Sequence, residues 1–454
     1  MDKYLSRSID QALLEWKDNP RRKPLLVRGA RQVGKSSTIR HLGKNFKYFL
    51  EVNVERNPEV MEFFKGSRDV KSIAAKLSDF FNVPVVPGET LLFLDEIQKC
   101  EDVIHSLWFF KEDYPELHVI AAGSLLEFAL KNLSSFGVGR VSSLFVYPMS
   151  FDEFLTATRQ EGLLRIKRNS SPTNPLPEAF YNRLVEAFRS YMLVGGMPEA
   201  VATYTETGSY RYSSDIVNEI IQGYQDDFAK YGAKANPLLL RQTLISVAHQ
   251  AGAKFVCSRV EGQYRSAEVK VALEMLKDAG LIIPTYHTDA NGVPLGAEIN
   301  ERVVKYLIHD TGVLLGILGI DDDIDERIKE MMVADSIDLV DKGHVAEMMA
   351  GLELIKYSSP QTRHQLYYWQ NMNKGTCAEV DYVIARSGSI VPIEVKSGVK
   401  GSMSSMYSLM RNPQKHIEMG IRCSLENFGT FVSPDGKKID IIPLYAISNL
   451  FAEK

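Results

Sequence analysis

The sequence predicts an α/β protein whose N-terminal part is a parallel sheet with helices on both faces. Apolar strand-like segments alternate with helical patterns there: strands at 25–28, 48–53, 91–95 and 118–122, and helices at 35–44, 70–81 and 101–112. Such alternation is typical of parallel strands joined by crossover helices. The segment from Leu91 to Leu94 is uninterrupted and apolar, which indicates a central strand buried on both sides.

The loop after the first strand has two glycines, a lysine and a serine in the spacing GxxxxGK[ST]. Gly29 and Gly34 let the backbone curl so that its N–H groups point at a di- or triphosphate. The helix that begins near Lys35 adds its positive N-terminal dipole. Lys35 reaches the β and γ phosphates, and the Ser36 hydroxyl holds Mg²⁺. The sequence therefore predicts a nucleotide site formed by Gly29, Ala30, Arg31, Gln32, Val33, Gly34, Lys35, Ser36 and Ser37.

Polar residues follow two further predicted strands. Asp95 and Glu96 come directly after the central strand, and Ser124 follows the next one. Ligands of open α/β sheets bind at the carboxyl ends of the strands. We therefore expect Asp95 to hold Mg²⁺, Glu96 to orient or deprotonate the attacking water, and Ser124 to contact the γ-phosphate or that water. The alternative is a buried strand that simply ends at two surface acids.

These motifs resemble those of the AAA+ ATPases: Walker A at Gly29–Ser36, Walker B at Leu91–Glu96, and a sensor-1-like Ser124. The chain is similar to a prokaryotic branch in which an AAA-type ATPase precedes a C-terminal domain of unknown function. The matching motifs lie at Leu26–Ser36, Leu92–Gln98, Gly123-Ser124, Gly139-Arg140, Pro148–Phe154 and Gly195–Glu199. The resemblance implies a P-loop NTPase fold, a hydrolase activity on ATP, and Mg²⁺ as the second cofactor.

Arg140 follows the Gly-containing segment Ser134–Gly139 and is a candidate cation for the phosphates. It acts in this interpretation either in cis as a sensor or in trans as an arginine finger. A solvated arginine without a role at the phosphates is the alternative. The candidate catalytic residues are therefore Lys35, Glu96, Ser124 and Arg140.

The length of 454 residues indicates more than one domain. We predict an ATPase domain at 1–160, a helical linker or lid at 161–235, a winged-helix-like domain at 236–335 and a nuclease-like domain at 336–454. The net charge of −4 provides no global attraction to nucleic acid. The four cysteines lack CxxC spacing, and no apolar run is long enough to span a membrane. We expect a cytoplasmic protein without a signal peptide.

The middle of the chain is predicted to be mostly helical. Ile166–Pro177 has the composition of a linker, and Gly195–Pro198 breaks a helical pattern, either as a structural turn or as a turn that faces the nucleotide. Helices at Leu238–Gln250 and Ser266–Ala279, followed by a hairpin, look like a winged helix. The exposed positions of the second helix carry charges of both signs, so DNA binding and protein contact both stay open.

The C-terminal part contains Glu379-Val380-Asp381 followed by Ile393-Glu394-Val395-Lys396 on two predicted strands. With Glu347 on a preceding helix, this pattern resembles the core of PD-(D/E)xK nucleases, which are restriction-endonuclease-like α/β domains. The resemblance implies that Asp381, Glu394 and Glu347 hold a second Mg²⁺ and that Lys396 helps to activate water. The alternative is a fold reused without cleavage, in which Glu394 and Lys396 form an ion pair.

We interpret the chain as an ATP-binding and ATP-hydrolysing protein that couples its nucleotide state to the winged-helix and nuclease-like regions. One alternative is an ATP-regulated nuclease that acts on DNA or RNA. Another is a nucleotide-dependent protein-interaction switch with little turnover. Nucleic acid, a protein partner and a second copy of the chain all stay open as partners, and no membrane association is expected.

Overall fold

The computed structural model describes residues 4–132, 139–229, 236–319, 344–371, 378–398 and 401–451. These residues divide into two compact units. The first unit contains the described residues up to Tyr147 together with two later segments, Asp278–Gly280 and Ser359–Arg363. The second unit contains the remaining described residues from Pro148 onward. Because the chain returns twice to the first unit, the two units are not simply successive halves of the sequence.

The first unit is built on a sheet whose described strands are β1 (Leu25–Arg28), β2 (Tyr48–Asn53), β3 (Thr90–Asp95), β4 (His118–Ala122) and β5 (Ser142–Phe145). The strand order is β2-β3-β4-β1-β5, and every neighbouring pair is parallel. Strand β3 is buried along its whole length, as its apolar sequence predicts. The predicted α/β fold with an N-terminal parallel sheet is confirmed, and β5 adds an edge strand to the predicted set.

Helices cover both faces of this sheet, and those described are α1 (Ile9–Asp18), α2 (Lys35–Gly43), α3 (Met61–Phe64), α4 (Val70–Phe81), α5 (Glu101–Asp113) and α6 (Leu126–Asn132). Side chains alternate between the two faces along a strand. Leu92 and Leu94 pack with buried residues of α4 and α5. On the opposite face α2 packs on β3 and β4, and Phe49 stacks on Phe93 at 6.4 Å between ring centroids. The sheet therefore lies between two layers of helices, and a site can form at the ends of its strands.

The second unit begins with helices α7 (Phe151–Ala157), α8 (Glu161–Arg168), α9 (Glu178–Val194), α10 (Pro198–Thr207) and α11 (Tyr210–Phe228). Helix α8 extends into the predicted linker Ile166–Pro177 because its apolar side is buried and Lys167 forms a buried ion pair with Asp152. The predicted break at Gly195-Gly196 is present as a turn. A Cβ on Gly196 would lie 2.2 Å from the Met149 carbonyl oxygen, and its N–H donates to Asp310 Oδ2 at 2.6 Å. This turn therefore has a packing reason within the second unit.

The predicted winged-helix elements are α12 (Pro237–His249), α13 (Ser266–Asp278), β6 (Ile282–Thr288) and β7 (Ile299–Ile308), followed by α14 (Thr311–Ile317). Strands β6 and β7 form an antiparallel hairpin. The hairpin continues into a sheet of order β7-β6-β8-β9 with β8 (Leu366–Gln370) and β9 (Glu379–Val380). Because β6 pairs with β8, the sheet runs across the predicted boundary between residues 335 and 336.

A mixed sheet of order β10-β11-β12-β14-β13 forms the C-terminal part, with strands β10 (Tyr382–Arg386), β11 (Ser389–Val395), β12 (Met419–Ser424), β13 (Gly429–Val432) and β14 (Lys438–Pro443). The predicted hairpin is present, with Arg386 opposite Ser389. Two helices accompany it, α15 (His344–Lys356) and α16 (Ser404–Arg411). Short 3-10 helices lie at Pro58–Val60, Ile97–Lys99, Cys257–Arg259, Leu295–Glu298, Pro413–Lys415 and Leu444–Leu450.

No described helix combines the length and the apolar composition that crossing a bilayer requires. Among the cysteines, Cys100, Cys257 and Cys423 carry free thiols, and Cys377 lies outside the described residues.

Candidate functional site

The loop Gly29–Ser37 connects β1 to α2 at the carboxyl edge of the parallel sheet. Gly29 and Gly34 have backbone φ values of 145° and 94°, which residues with a Cβ rarely adopt. A Cβ on Gly29 would lie 2.1 Å from the Val146 carbonyl oxygen, so the close approach itself requires glycine. Val33 is buried under the loop, whereas Arg31, Gln32 and Ser37 are exposed.

Lys35 is the first residue of α2, and its ammonium folds back over the loop. Nζ donates to the carbonyl oxygens of Gly29 at 2.9 Å and Ala30 at 2.7 Å. Burial lowers the pKa of Lys35 to about 8, and the charges of Glu96 and Asp95 oppose that effect. The ammonium is thus bound by acceptors that phosphate oxygens are able to replace, at the place where the loop and helix N–H groups favour an anion.

Ser36 and Asp95 are in direct contact between α2 and the end of β3. The Ser36 hydroxyl donates to Asp95 Oδ2 at 3.1 Å, and the Glu96 N–H donates to Asp95 Oδ1 at 3.1 Å. Burial raises the pKa of Asp95, and the Glu96 charge raises it further. A hydroxyl and a carboxylate side by side fit Mg²⁺, which takes few protein oxygen ligands and retains several waters.

The Glu96 side chain is held by two neighbours at the ends of β3 and β4. Its Oε2 accepts from Gln98 Nε2 at 2.5 Å, from Ser124 Oγ at 3.0 Å and from the Ser124 N–H at 3.4 Å. The Glu96 backbone has φ 53°, a left-handed conformation uncommon for a residue with a side chain. The predicted pair Glu96 and Ser124 therefore lies together, and Gln98 joins it.

Sequence analysis did not identify Gln98 or Arg7 as part of this region. A Cβ on Gly123 would lie 2.1 Å from Gln98 Oε1, so Gly123 makes room for the amide. Arg7 donates to the carbonyl oxygens of Val33 at 2.9 Å and Tyr147 at 2.7 Å, which ties the phosphate loop to the end of β5. The signal for Gln98 was its place two residues after Glu96, at the end of the motif Leu92–Gln98, whereas nothing in the spacing points to Arg7.

Arg140 contacts a different part of the first unit. Its Nε lies 2.8 Å from Glu112 Oε1, and its guanidinium lies over the Trp108 ring at 3.9 Å from the centroid. Both partners belong to α5 rather than to the loop Gly29–Ser37. The preceding residues 134–138 of the predicted Gly-containing segment lie outside the described residues.

The C-terminal candidates lie on β11, α15 and the segment between β9 and β10. Asp381 Oδ2 accepts from the Val395 N–H at 2.7 Å, and Lys396 Nζ lies 2.7 Å from Glu394 Oε1. Glu347 contacts Lys305 instead, at 2.8 Å from Nζ to Oε1. In the part of the chain that the structure describes, no three acidic, histidine or cysteine side chains form a group that could hold a metal ion. The prediction that Glu347, Asp381 and Glu394 jointly hold a metal stays a prediction, and the structure adds that Lys305 lies against Glu347.

Three sequence families match successive parts of the chain. Residues 21–155 match the AAA domain family. Residues 185–324 match a domain of unknown function, DUF8612, and residues 342–447 match a second domain of unknown function, DUF4143. No curated protein matches the chain.

Two solved structures are similar at low identity. The Walker-type ATPase PABY2304 of Pyrococcus abyssi is 17% identical, with 69% of this chain and 96% of that chain covered and a TM-score of 0.44. The Orc1 protein of Aeropyrum pernix, in complex with DNA, is 12% identical, with 72% and 95% covered and a TM-score of 0.31. These two structures carry no argument about the fold. The fold assignment of the N-terminal part depends on the match to the AAA domain family and on the parallel sheet with its loop Gly29–Ser37. The N-terminal part of this chain therefore has the P-loop NTPase fold and matches the AAA domain family over residues 21–155, and two matches to domains of unknown function follow it.

Proposed function

We propose that this protein binds ATP with Mg²⁺ at the loop Gly29–Ser37 and hydrolyses it. The observation that carries the proposal is the convergence of Lys35, Ser36, Asp95 and Glu96 where β1 and β3 end. Phosphoryl transfer to water requires mainly positioning and charge neutralisation. These residues supply a cation, two oxygen ligands and a carboxylate.

When ATP binds, Lys35 exchanges its hydrogen bonds to the loop for contacts with the phosphates. The Lys35 ammonium leaves the carbonyl oxygens of Gly29 and Ala30 and binds phosphate oxygens, so that its burial is compensated by anions rather than by dipoles. Ser36 and Asp95 would hold Mg²⁺, which supplies positive charge to the phosphates when it is bound. The first turn of α2 adds the N–H groups that a helix leaves without internal partners.

Hydrolysis requires a water that is oriented toward the γ-phosphate. Glu96 is the carboxylate in position to accept its proton, and Ser124 at the end of β4 donates to Glu96. All three hydrogen bonds from Gln98 and Ser124 go to Oε2, so Oε1 is the oxygen that would accept the proton of the water. The reaction therefore depends on how strongly Gln98 and Ser124 hold that carboxylate.

We further propose that the nucleotide state is transmitted along the chain through the two segments that return to the first unit. Lys131 on α6 pairs with Asp278 at 2.5 Å, and a Cβ on Gly280 would lie 3.1 Å from the Ala30 nitrogen in the phosphate loop. Pro360 accepts from the Phe145 N–H at 2.8 Å at the end of β5. The residues that flank the segment Asp278–Gly280, 277 and 281, belong to the second unit. A conformational change at the loop Gly29–Ser37 would therefore reach the second unit within a few residues of chain.

A nucleotide-dependent switch with little turnover is the second candidate, and the hydrogen bonds that restrain Glu96 through Oε2 favour it. Measuring steady-state ATP hydrolysis with and without DNA, RNA and Mn²⁺ separates the two. Multiple turnovers per chain support the ATPase, whereas tight retention of one ATP with negligible phosphate release supports the switch. Cleavage of DNA or RNA stays outside the proposal because Lys305 contacts the predicted ligand Glu347.

A separate experiment tests whether the nucleotide state is transmitted through the segment Asp278–Gly280. ATP·Mg²⁺ should slow amide exchange near residues 278–281, and the effect should be absent in Lys35→Ala. In Asp278→Asn the pair with Lys131 is weakened, so ATP should still bind while the protection beyond residue 281 decreases. Equal protection in Asp278→Asn and in the unmodified chain would contradict transmission through this segment.

A further inference from the structure

Lys305 is a buried lysine that the ATPase does not use. It lies on β7 of the hairpin, and its side chain is 1% exposed. Nζ lies 2.8 Å from Glu347 Oε1 on α15 and 2.5 Å from Glu379 Oε1 on β9. The ammonium also lies over the Tyr368 ring, 5.0 Å from its centroid. One side chain thus connects the hairpin, a helix and a neighbouring strand.

We propose that Lys305 is the resident cation of this acidic cluster and that the cluster holds no divalent metal in the folded protein. The proposal is independent of the ATPase, since every residue in it belongs to the second unit. It replaces the metal expected beside Glu347 with an ammonium that the chain itself provides.

The charge of Lys305 is stable in this environment. A buried ammonium persists only where carboxylates at hydrogen-bond distance compensate for its lost hydration. Glu347 and Glu379 meet this condition directly.

The other predicted ligands also have partners from the chain. Asp381 accepts from the Val395 N–H, and Glu394 pairs with Lys396. Glu394 Oε2 is a buried oxygen without a hydrogen-bond partner among the described residues. Lys305 and Lys396 therefore place two ammonium groups against the acids of this cluster.

The experiment is a titration of the nucleotide-free full chain with Mn²⁺, in which free Mn²⁺ is counted by its paramagnetic resonance signal. Every variant also carries Asp95→Asn, because that change removes the carboxylate at the end of β3 that we expect to hold a metal beside the loop Gly29–Ser37. With Lys305 present we expect no Mn²⁺ bound by the second unit and no rise in melting temperature. In Lys305→Met we expect a decrease of about 5–10 °C in melting temperature, and about one Mn²⁺ bound per chain that partly restores it.

Lys254→Met is the matched control, since Lys254 lies opposite Lys305 in the backbone pairing and is exposed. It should change neither stability nor Mn²⁺ binding. Binding of Mn²⁺ by the Lys305 form that Asp381→Asn abolishes would overturn the proposal, as would a Lys305→Met protein with unchanged stability. If Lys305→Met does not fold, Glu379→Gln removes one partner and should lower the melting temperature while the Mn²⁺ count stays at zero.

Discussion

Gln98 Nε2 lies 2.5 Å from Glu96 Oε2, so the residue two positions after the Walker B glutamate donates to that glutamate. The same amide is 3.5 Å from Ser124 Oγ, which itself donates to Glu96. Glu96, Gln98 and Ser124 thus form one small network at the ends of β3 and β4. Gly123 permits it, because any side chain there would meet the Gln98 amide.

Gln98→Leu should slow ATP hydrolysis by about 10- to 100-fold with little change in ATP affinity, because Glu96 loses the donor that fixes its direction. Single-turnover hydrolysis and calorimetric titration measure the two quantities separately. Gln11→Leu is the control, since Gln11 makes the same kind of contact with Glu15 on the exposed side of α1. An equal loss in affinity and rate would indicate a purely structural role for Gln98.

Lys35→Ala should remove measurable ATP binding without unfolding the chain. The ammonium contacts loop carbonyls and not core side chains, so the variant loses a charge-assisted phosphate contact and little packing. Titration calorimetry with ATP·Mg²⁺ measures the affinity, and circular dichroism measures the fold. Lys44→Ala, at the exposed end of the same helix, should behave as the unmodified protein. Unchanged affinity in folded Lys35→Ala would contradict the phosphate-loop assignment.

Glu96→Gln should retain ATP and hydrolyse it about 10²- to 10⁴-fold more slowly, because an amide does not accept the proton of the attacking water. The amide oxygen still accepts from Gln98, so the geometry at the end of β3 should change little. Quenched-flow measurement of phosphate release from bound ATP tests this. A rate equal to that of the unmodified chain would show that another group positions the water.

The nucleotide loop and its Walker B partners were predictable because local spacing determines them. Gly29, Lys35 and Ser36 are fixed by one turn between strand and helix, and Asp95 follows from a fully apolar strand. The order of parallel strands then brings Ser36 to Asp95 and Glu96 to Ser124.

Lys305 and Arg7 were not predictable in the same way. Lys305 on β7 meets Glu379 on β9 in a sheet whose parallel pairing of β6 with β8 spans about eighty residues of chain, and it meets Glu347 on the separate helix α15. Arg7 reaches the phosphate loop from a segment that carries no motif. Arg140 follows a glycine, and this position suggested a role at the phosphates. Its guanidinium instead contacts Trp108 and Glu112 on α5.

His118 makes the stability of the first unit depend on pH. Its ring is buried between Trp16 and Phe46, and Nε2 donates to the Lys17 carbonyl oxygen at 3.1 Å. Burial, reinforced by the charge of Arg22, lowers the pKa of His118 from its ordinary value of 6.5 to about 4. The unfolded chain therefore takes up a proton between these two values that the folded chain does not, and stability decreases as the pH falls through that range.

The expected loss from this residue is about 1 kcal/mol between pH 7 and about pH 5.5. It is measured as the difference in the free energy of urea unfolding between the unmodified chain and His118→Gln, which has no group that titrates there. His118→Gln should be less stable at pH 7, because it loses aromatic packing, and its stability should fall less steeply below that pH. If His118→Gln and the unmodified chain lose stability in parallel, protonation of His118 is not the cause.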